Sequence, residues 1–220
     1  MRRNGKVLTL DFSKRPEEDD WECLSTCSNI PGIEATKDKN KLVNSFTKYH
    51  YKHNSGNTFT LITSLGGGHN LRGRGGNILE VTVYYWNSGD HTPILLGIKD
   101  KTGKTKYYSY TTTSFRGTKQ SNWSPSGNND NNSLEYLLDW RNCSFHAAIP
   151  FDIQNPADPS KLYTDKKVPP CMNNYRNIRE SDSQSPKLTI LGYDVKEYTV
   201  HNNDKNPPGK FIGTKISRVT

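Results

Sequence analysis

The sequence predicts an all-β fold, mainly an antiparallel β-sandwich, with one short α-helix. Short runs of β-branched and aromatic residues recur along the 220 residues and are separated by clusters of Gly, Asn, Asp and Pro. Only 31% of the residues are hydrophobic while 10% are aromatic, so tyrosine and tryptophan must supply much of the core. A single capped apolar pattern near residue 134 marks the helix.

The N-terminal part carries four strand candidates. In the first, residues 7–12, the side chains of Leu8, Leu10 and Phe12 fall on one side, which gives the apolar face of a half-buried strand. The others are residues 33–37, 46–52 and 58–63. The segment 53–57 between the last two is rich in Asn, Ser and Gly, so it predicts a hairpin that joins them.

The middle of the chain contains the strongest strand signals. Residues 78–86 alternate, and one face carries only large apolar side chains, those of Leu79, Val81, Val83 and Tyr85. Residues 94–98 form a nearly continuous apolar run, which is typical of a central strand covered on both sides. Residues 104–112 predict the next strand of the same meander.

One helix is predicted after residue 131. Asn132 is placed to cap it, and Glu135 follows three residues later, as in a capping box. Apolar residues then recur at helical spacing, at Leu134, Leu137 and Leu138. The helix is expected to end near Asn142, and residues 145–153 predict a further strand.

The predicted organisation has three parts. Residues 1–155 form a β-rich module, residues 156–186 a Pro-rich polar loop or linker, and residues 187–220 a β segment with strand candidates at 188–191, 195–201 and 211–219. Residues 195–202 are similar to residues 46–54 with one residue gapped. This similarity indicates a partial second module, with a chance match as the alternative.

The charge of the chain favours weak contacts with anions. Thirty basic against twenty-two acidic residues give a formal net charge of +8, which suits nucleic acid or another polyanion as a salt-sensitive partner. The charges are scattered, so a solvated surface is the plainer interpretation. No stretch approaches the roughly 20 apolar residues of a membrane-spanning helix, and no signal peptide is visible, so the location stays open.

Two segments are candidates for anion binding. Residues 65–76 are Gly-rich and carry Arg72 and Arg74, a composition suited to phosphate or RNA. Since a strand and not a helix follows these glycines, a flexible loop between strands is favoured. Residues 97–105, with Lys104, resemble a phosphate-binding loop with one residue too many, so a hairpin turn through Asp100 to Gly103 is favoured there.

Aromatic side chains offer a second kind of candidate site. Four of them fall on strands expected to be neighbours and would form a stacking platform for sugar or base rings: Tyr84, Trp86, Tyr108 and Tyr110. The alternative is that they pack as core. With so few aliphatic residues in the chain, the core role is favoured.

The chain has four cysteines, Cys23, Cys27, Cys143 and Cys171. They allow three disulfide pairings or free thiols, depending on the compartment. The first two would suit zinc together with His50 and His53, but these histidines should face opposite sides of a strand, so no metal is expected. A nucleophile formed by Cys143 and His146 is likewise disfavoured against a structural cysteine. No cofactor and no enzymatic activity are predicted.

A series of short motifs follows in order along residues 7–155. It comprises Val7 to Asp11, Thr47-Lys48-Tyr49 with His53, Phe59-Thr60-Leu61, the most specific motif Val81 to Trp86, the apolar run 94–98, Gly103 to Tyr108, Trp123, and Leu138-Asp139 with Asn142-Cys143. These motifs resemble a family of module-repeat proteins of unknown function from piroplasm parasites, the Theileria and Babesia group. Trp140 and Arg141 depart from the family pattern, which more often has a polar residue and a Leu.

The resemblance implies a short family member with one module and a fragment of a second, and it brings no biochemical activity. The predicted function is therefore a non-enzymatic protein-interaction or antigenic module of a parasite protein, with an unidentified host or parasite protein as partner. The alternative is a salt-sensitive nucleic-acid or polyanion-binding protein that uses Arg72, Arg74 and Lys104.

Overall fold

The computed structural model describes residues 7–8, 10, 32–37, 45–62, 64–65, 68–72, 75–87, 92–115, 118–126, 133–151, 154, 162, 169, 171, 178–180, 189–190, 193–194, 198–200 and 215–219. The chain folds as two compact units, Met1–Leu138 and Asp139–Thr220. The boundary between the units lies inside the helix, whereas the sequence pattern puts the end of the first module at residue 155.

The described residues form fifteen strands and one helix. In chain order they are β1 (Val7–Leu8), β2 (Ile33–Lys37), β3 (Phe46–His53), β4 (Phe59–Leu61), β5 (His69–Leu71), β6 (Gly75–Trp86), β7 (Pro93–Asp100), β8 (Thr105–Phe115), β9 (Thr118–Pro125), α1 (Leu134–His146), β10 (Ala148–Phe151), β11 (Ile178–Glu180), β12 (Thr189–Ile190), β13 (Tyr193–Asp194), β14 (Tyr198–Val200) and β15 (Lys215–Val219). The predicted all-β fold with one helix is confirmed.

Nine strands of the first unit belong to one mixed sheet. Its strand order is β1, β4, β6, β7, β8, β9, β5, while β3 also pairs with β6 and carries β2 on its outer side. β1 is parallel to β4 and β5 is parallel to β9, and the remaining pairs are antiparallel. In the part of the chain that the structure describes, these nine strands belong to one sheet, and the predicted packing of two stacked sheets is not confirmed.

The predicted hairpin between β3 and β4 is wrong. β3 pairs with Glu80 to Trp86 of β6, and β4 pairs with Gly75 to Ile78 of the same strand. The two strands therefore lie end to end along one edge of β6. The segment between them does turn tightly, with Gly56 N–H donating to the carbonyl of His53 at 2.9 Å. Its composition identifies a turn but does not determine which strands pair.

The nine-stranded sheet is bent. Along the strand order, β4 and β5 are five strand spacings apart, which would be about 24 Å in a flat sheet. Yet Ser64 forms a bridge with Asn70 of β5, and only about 11 Å of chain can separate Ser64 from Leu61 at the end of β4. The sheet must therefore bend, which brings its far strands towards each other without closing it.

The apolar face of this sheet is built largely from aromatic side chains. The strand register puts eight buried residues on it: Tyr49, Tyr51, Val81, Val83, Tyr85, Leu96, Tyr110 and Trp123. The rings of Tyr49 and Tyr85 meet edge to face with centroids 5.7 Å apart. Strand β7 is buried from Pro93 to Ile98, which confirms the predicted central strand covered on both sides.

The sequence predicts a flexible loop for the Gly-rich segment 65–76, but the structure has the strand β5 within it. Residues His69 and Leu71 are buried and pair in parallel with β9. Gly68 makes this approach possible: its φ is 76°, and a Cβ atom there would lie 2.8 Å from the carbonyl oxygen of Lys119. Three residues among glycines carry too little alternation to be recognised as a strand.

The helix α1 starts differently from the prediction. Its N-cap is Ser133 and not Asn132, because the Ser133 hydroxyl accepts a hydrogen bond from the N–H of Tyr136 at 3.3 Å. Glu135 consequently lies one position too early to complete a capping box, although its charge still suits the first turn.

The helix also ends four residues later than predicted, at His146 instead of Asn142. Ala147 terminates it in the left-handed conformation, with a φ of 51°, and its N–H donates to the carbonyl of Cys143 at 3.0 Å. Glycine is the usual residue at such a position, and its absence explains why the sequence pattern gives no clear stop signal.

The second unit contains three small pairings of strands. β10 is parallel to β15, β11 is antiparallel to β14, and β12 is antiparallel to β13. The described residues of the strands predicted at 188–191, 195–201 and 211–219 form β12, β14 and β15, and the other residues of these ranges lie outside the described ones. A disulfide joins Cys143 of α1 to Cys171, 28 residues further on. The partial second module stays a prediction.

Candidate functional site

On the side of the nine-stranded sheet opposite the apolar face, charged and hydroxyl side chains lie together near β2 and β3, whereas Tyr84, Trp86 and Leu95 on the same side are buried. The register puts even-numbered residues of β2, β3 and β6 and odd-numbered residues of β7 on this side. We call it the polar face and define it by eight residues: Glu34, Thr36, Lys48, His50, Lys52, Glu80, Thr82 and Lys99. In β3, Lys48, His50 and Lys52 alternate with the buried tyrosines, so their side chains lie on this side.

A row of alternating charges crosses four strands of the polar face. Glu34 of β2 lies opposite Lys52 of β3, which lies opposite Glu80 of β6, which lies opposite Lys99 of β7. We call these four residues the charge ladder. Opposite charges at directly facing positions attract across a sheet, so each neighbouring pair favours the register in which it is seen.

At the centre of the polar face, His50, Glu80 and Thr82 contact one another. The Nδ1 atom of His50 is 2.6 Å from Oε1 of Glu80 and 3.2 Å from Oγ1 of Thr82, and the Thr82 hydroxyl donates to the same carboxylate at 3.2 Å. An ionised carboxylate only accepts, so Nδ1 carries a proton and donates it to Glu80.

The backbone register explains this cluster. The N–H of Asn87 donates to the carbonyl of Ser45 at 2.9 Å, so these two residues form a hydrogen-bonded pair of the ladder. Hydrogen-bonded pairs alternate along antiparallel strands with pairs that have no direct backbone hydrogen bonds, and in this register His50 and Thr82 form a pair of the second kind. Side chains approach most closely at such pairs. The sequence pattern does not identify Glu80 or Thr82 as members of a site. The signal that it offers is in β3, where Lys and His alternate with tyrosine.

The surroundings of Glu80 act on its pKa in opposite directions. Partial burial raises the pKa, but the hydrogen bond and positive charge of His50, the Thr82 hydroxyl and the charge of Lys99 together hold it below its ordinary value of 4.5. The carboxylate is therefore ionised at neutral pH. It fixes the ring of His50 and completes the charge ladder.

Replacement of Glu80 by glutamine tests this arrangement. Because the pKa of Glu80 is depressed in the folded protein, its contribution to stability is present above about pH 4.5 and is lost as the pH falls through the folded value. We expect Glu80→Gln to cost about 1 kcal/mol at neutral pH and to flatten the loss of stability below pH 4.5, measured by urea unfolding.

The control for this experiment is Glu34→Gln, which removes a carboxylate from the exposed end of the same ladder. This variant should change the free energy of unfolding by less than about 0.5 kcal/mol. A Glu80→Gln variant that loses stability in acid exactly in parallel with the wild type would contradict the assigned role.

A cleft of about 340 Å³ opens on the polar face beside β2. Its lining is polar or charged, and consists of Thr36, Lys37, His50, Lys52 and Glu80. Sites for small apolar ligands are usually lined by hydrophobic and aromatic side chains. This cleft suits instead a polar side chain presented by another molecule.

The residues predicted to bind anions are not brought together. Arg72 follows β5 and donates its backbone N–H to the carbonyl of Trp123, which pairs with Tyr110 of β8. Lys104 lies six residues before Tyr110, about 20 Å away along that strand, and Arg74 lies outside the described residues. The predicted hairpin is confirmed, with the N–H of Gly103 donating to the carbonyl of Asp100 at 3.0 Å.

The predicted aromatic platform does not form either. Tyr84 pairs with Leu95 while Tyr108 pairs with Leu96, so Tyr84 and Trp86 lie on the opposite side of the sheet from Tyr108 and Tyr110. A one-residue offset in the β7 register is enough to separate them. Tyr84, Trp86 and Tyr110 are buried, which confirms the preferred interpretation that these rings pack as core.

The histidines proposed for zinc face opposite ways, as expected: His50 is on the polar face, and His53 is buried and bonds to the Ser55 hydroxyl at 2.7 Å. Cys23 and Cys27 lie outside the described residues. Cys143 is bonded to Cys171, so it offers no thiol to His146. The described part of the chain contains no cluster of three or more potential metal ligands.

These features define a strand-rich module with one helix and a sheet face that carries paired charges. No family model matches the chain, and neither does any curated protein or solved structure. Within the residues that the structure describes, no helix has the length and apolar character needed to cross a membrane.

Proposed function

We propose that this chain is a non-enzymatic protein-binding module that contacts its partner through the polar face. The observation that carries the proposal is the charge ladder, which presents fixed charges of both signs on an accessible sheet surface. Charges of both signs favour a complementary protein surface over a uniformly anionic polymer. The resemblance to piroplasm repeat modules adds the proposal that the partner is a host or parasite protein.

The central cluster supports binding more than catalysis. In a hydroxyl-histidine-carboxylate relay, the acid and the nucleophile bind different nitrogens of the imidazole. Here Glu80 and Thr82 both contact Nδ1 of His50, so the imidazole does not bridge the hydroxyl and the acid through its two nitrogens. The three side chains orient each other, and such preorganisation lowers the entropic cost of binding.

One observation supports a second candidate function, the binding of a polyanion. The hairpin between β7 and β8 exposes Lys101, Lys104 and Lys106 close together in sequence, with Asp100 turned into the hairpin by its bond to the N–H of Thr102 at 2.8 Å. A cationic hairpin tip suits a polyanion such as RNA or heparin. Binding of this kind should fall steeply with salt.

A salt-series pull-down with matched variants separates the two functions. The immobilised wild type, Lys52→Ser on the polar face and Lys119→Ser on β9 are compared, since both lysines are exposed. The proposal predicts a protein that the wild type and Lys119→Ser retain at moderate salt and that Lys52→Ser loses. Retention of RNA or heparin alone, with collapse between low and physiological salt, would support the second function and contradict the first.

A further inference from the structure

The outer edge of β2 presents backbone groups whose direction follows from the register. The N–H of Asn54 donates to the carbonyl of Gly32 at 2.7 Å, and Ile33 lies opposite His53. Backbone hydrogen bonds to β3 therefore come from alternate residues, Glu34 among them. The N–H and C=O groups of Ile33 and Ala35 point away from β3, and no strand in the described ranges pairs with them.

The charges on this edge define which side chain would fit beside it. The charge ladder alternates in sign across four strands and ends at Glu34, which is exposed at the edge. A basic residue facing Glu34 on a fifth strand would continue the alternation, while an acidic residue would place like charges opposite each other.

The other side of the same edge is apolar at Ile33 and Ala35, and Lys37 follows on this side at the end of β2. Ile33 is buried and Ala35 is half-buried, and both side chains lie on the side of the sheet opposite Glu34. A strand added here would gain burial from small or β-branched residues that alternate with its basic ones. The edge therefore specifies an alternating pattern of apolar and basic residues.

We infer that β2 takes up an extended segment of a partner protein as an added strand, with a basic residue opposite Glu34 and an apolar residue opposite Ala35. Strand addition draws its affinity from main-chain hydrogen bonds and its specificity from alternate side chains. The inference rests on the proposed function and names the class of partner segment that reaches the border of the polar face.

The experiment uses short fluorescein-labelled peptides that alternate valine with either lysine or glutamate, and measures binding to the full chain by fluorescence anisotropy. The wild type should bind the lysine peptide roughly fivefold more tightly than the glutamate peptide. Glu34→Lys should reverse this preference. Ala35→Pro should abolish binding of both peptides, because it removes an N–H that points away from β3.

Ala35→Ser is the matched control for the lost donor, since it keeps the backbone N–H and should keep the preference for the lysine peptide with at most a roughly twofold loss of affinity. Circular dichroism establishes that Ala35→Pro is folded, which is expected because proline is tolerated at an edge position whose N–H faces outward. Should that variant fail to fold, lysine peptides N-methylated on alternate residues replace it. Methylation on the side that faces β2 should prevent binding, and methylation on the opposite side should not.

The inference is overturned if the wild type does not bind the peptides. It is also overturned by full binding of Ala35→Pro, or of the peptide methylated on the side that faces β2. Self-association of the wild type that Ala35→Pro removes would assign the edge to a second copy of the chain and would likewise overturn it. The proposed function fails separately. A partner protein captured equally by the wild type and Ala35→Pro, but lost with Lys52→Ser, would leave the proposed function standing and remove strand addition.

Discussion

Replacement of Trp123 by alanine is expected to lower the free energy of unfolding by about 4 kcal/mol. The side chain of Trp123 is fully buried and contacts the ring of Tyr110, with centroids 4.7 Å apart, and the ring of His69, with centroids 5.9 Å apart. Its indole N–H also donates to Nδ1 of His69 at 2.9 Å. Alanine removes both the packing and the donor, and urea unfolding followed by circular dichroism measures the loss.

Trp123→Phe separates the two contributions. Phenylalanine keeps an aromatic ring in the core but removes the donor, so the hydrogen bond to Nδ1 of His69 is lost, at a cost of about 2 kcal/mol. Thr113→Ala, at an exposed position of β8, serves as the control and should change stability by less than about 0.5 kcal/mol. A loss below about 1 kcal/mol for Trp123→Ala would contradict the assigned packing.

The dependence on pH gives an independent readout of the same contact. Burial lowers the pKa of His69 below its ordinary value of 6.5, and the indole donor requires Nδ1 to be unprotonated. The resulting stability is present above about pH 6.5 and is lost as the pH falls through the lower folded value. Trp123→Phe should lose less stability on acidification, because the bond that favours the neutral ring is already absent.

The strands β5 and β9, which pair with each other, also show which kind of strand is not predicted from the sequence. β6 and β7 are recognised because their apolar side chains follow one another locally. β9 is missed since Trp123 is its one large apolar residue among serine, glutamine and asparagine. β5 is missed because it is three residues long and its partner is about fifty residues away. Both strands depend on tertiary pairing, which local alternation does not encode.

The candidate site is hidden for a related reason. Each member of the charge ladder lies on a different strand, and the members face each other only in one register. That register includes irregularities in β6 near Ile78 and Tyr84, which no periodic pattern reveals. Residue types therefore predict most strands of the first unit and the aromatic core, whereas the polar cluster around His50 follows only from the strand pairing.

Removal of the disulfide by a double Cys143→Ala and Cys171→Ala replacement is expected to lower the stability of the second unit by about 3 to 4 kcal/mol. The bond closes a loop with a sequence separation of 28, and the entropy that such a loop removes from the unfolded chain corresponds to that amount. It also ties the C-terminal half of α1 to Cys171, whose N–H lies 2.9 Å from the Cys143 sulfur.

Single and double variants distinguish the bond from the packing of the cysteines. Because either replacement breaks the same bond, Cys171→Ala alone should cost nearly as much as the double variant, and the small remainder should reflect Cys143, which is buried. Peptide mapping without reductant should recover the Cys143 and Cys171 peptides joined in the wild type. Additive single effects, or a double variant within about 1 kcal/mol of the wild type, would show that this bond does not hold the second unit together.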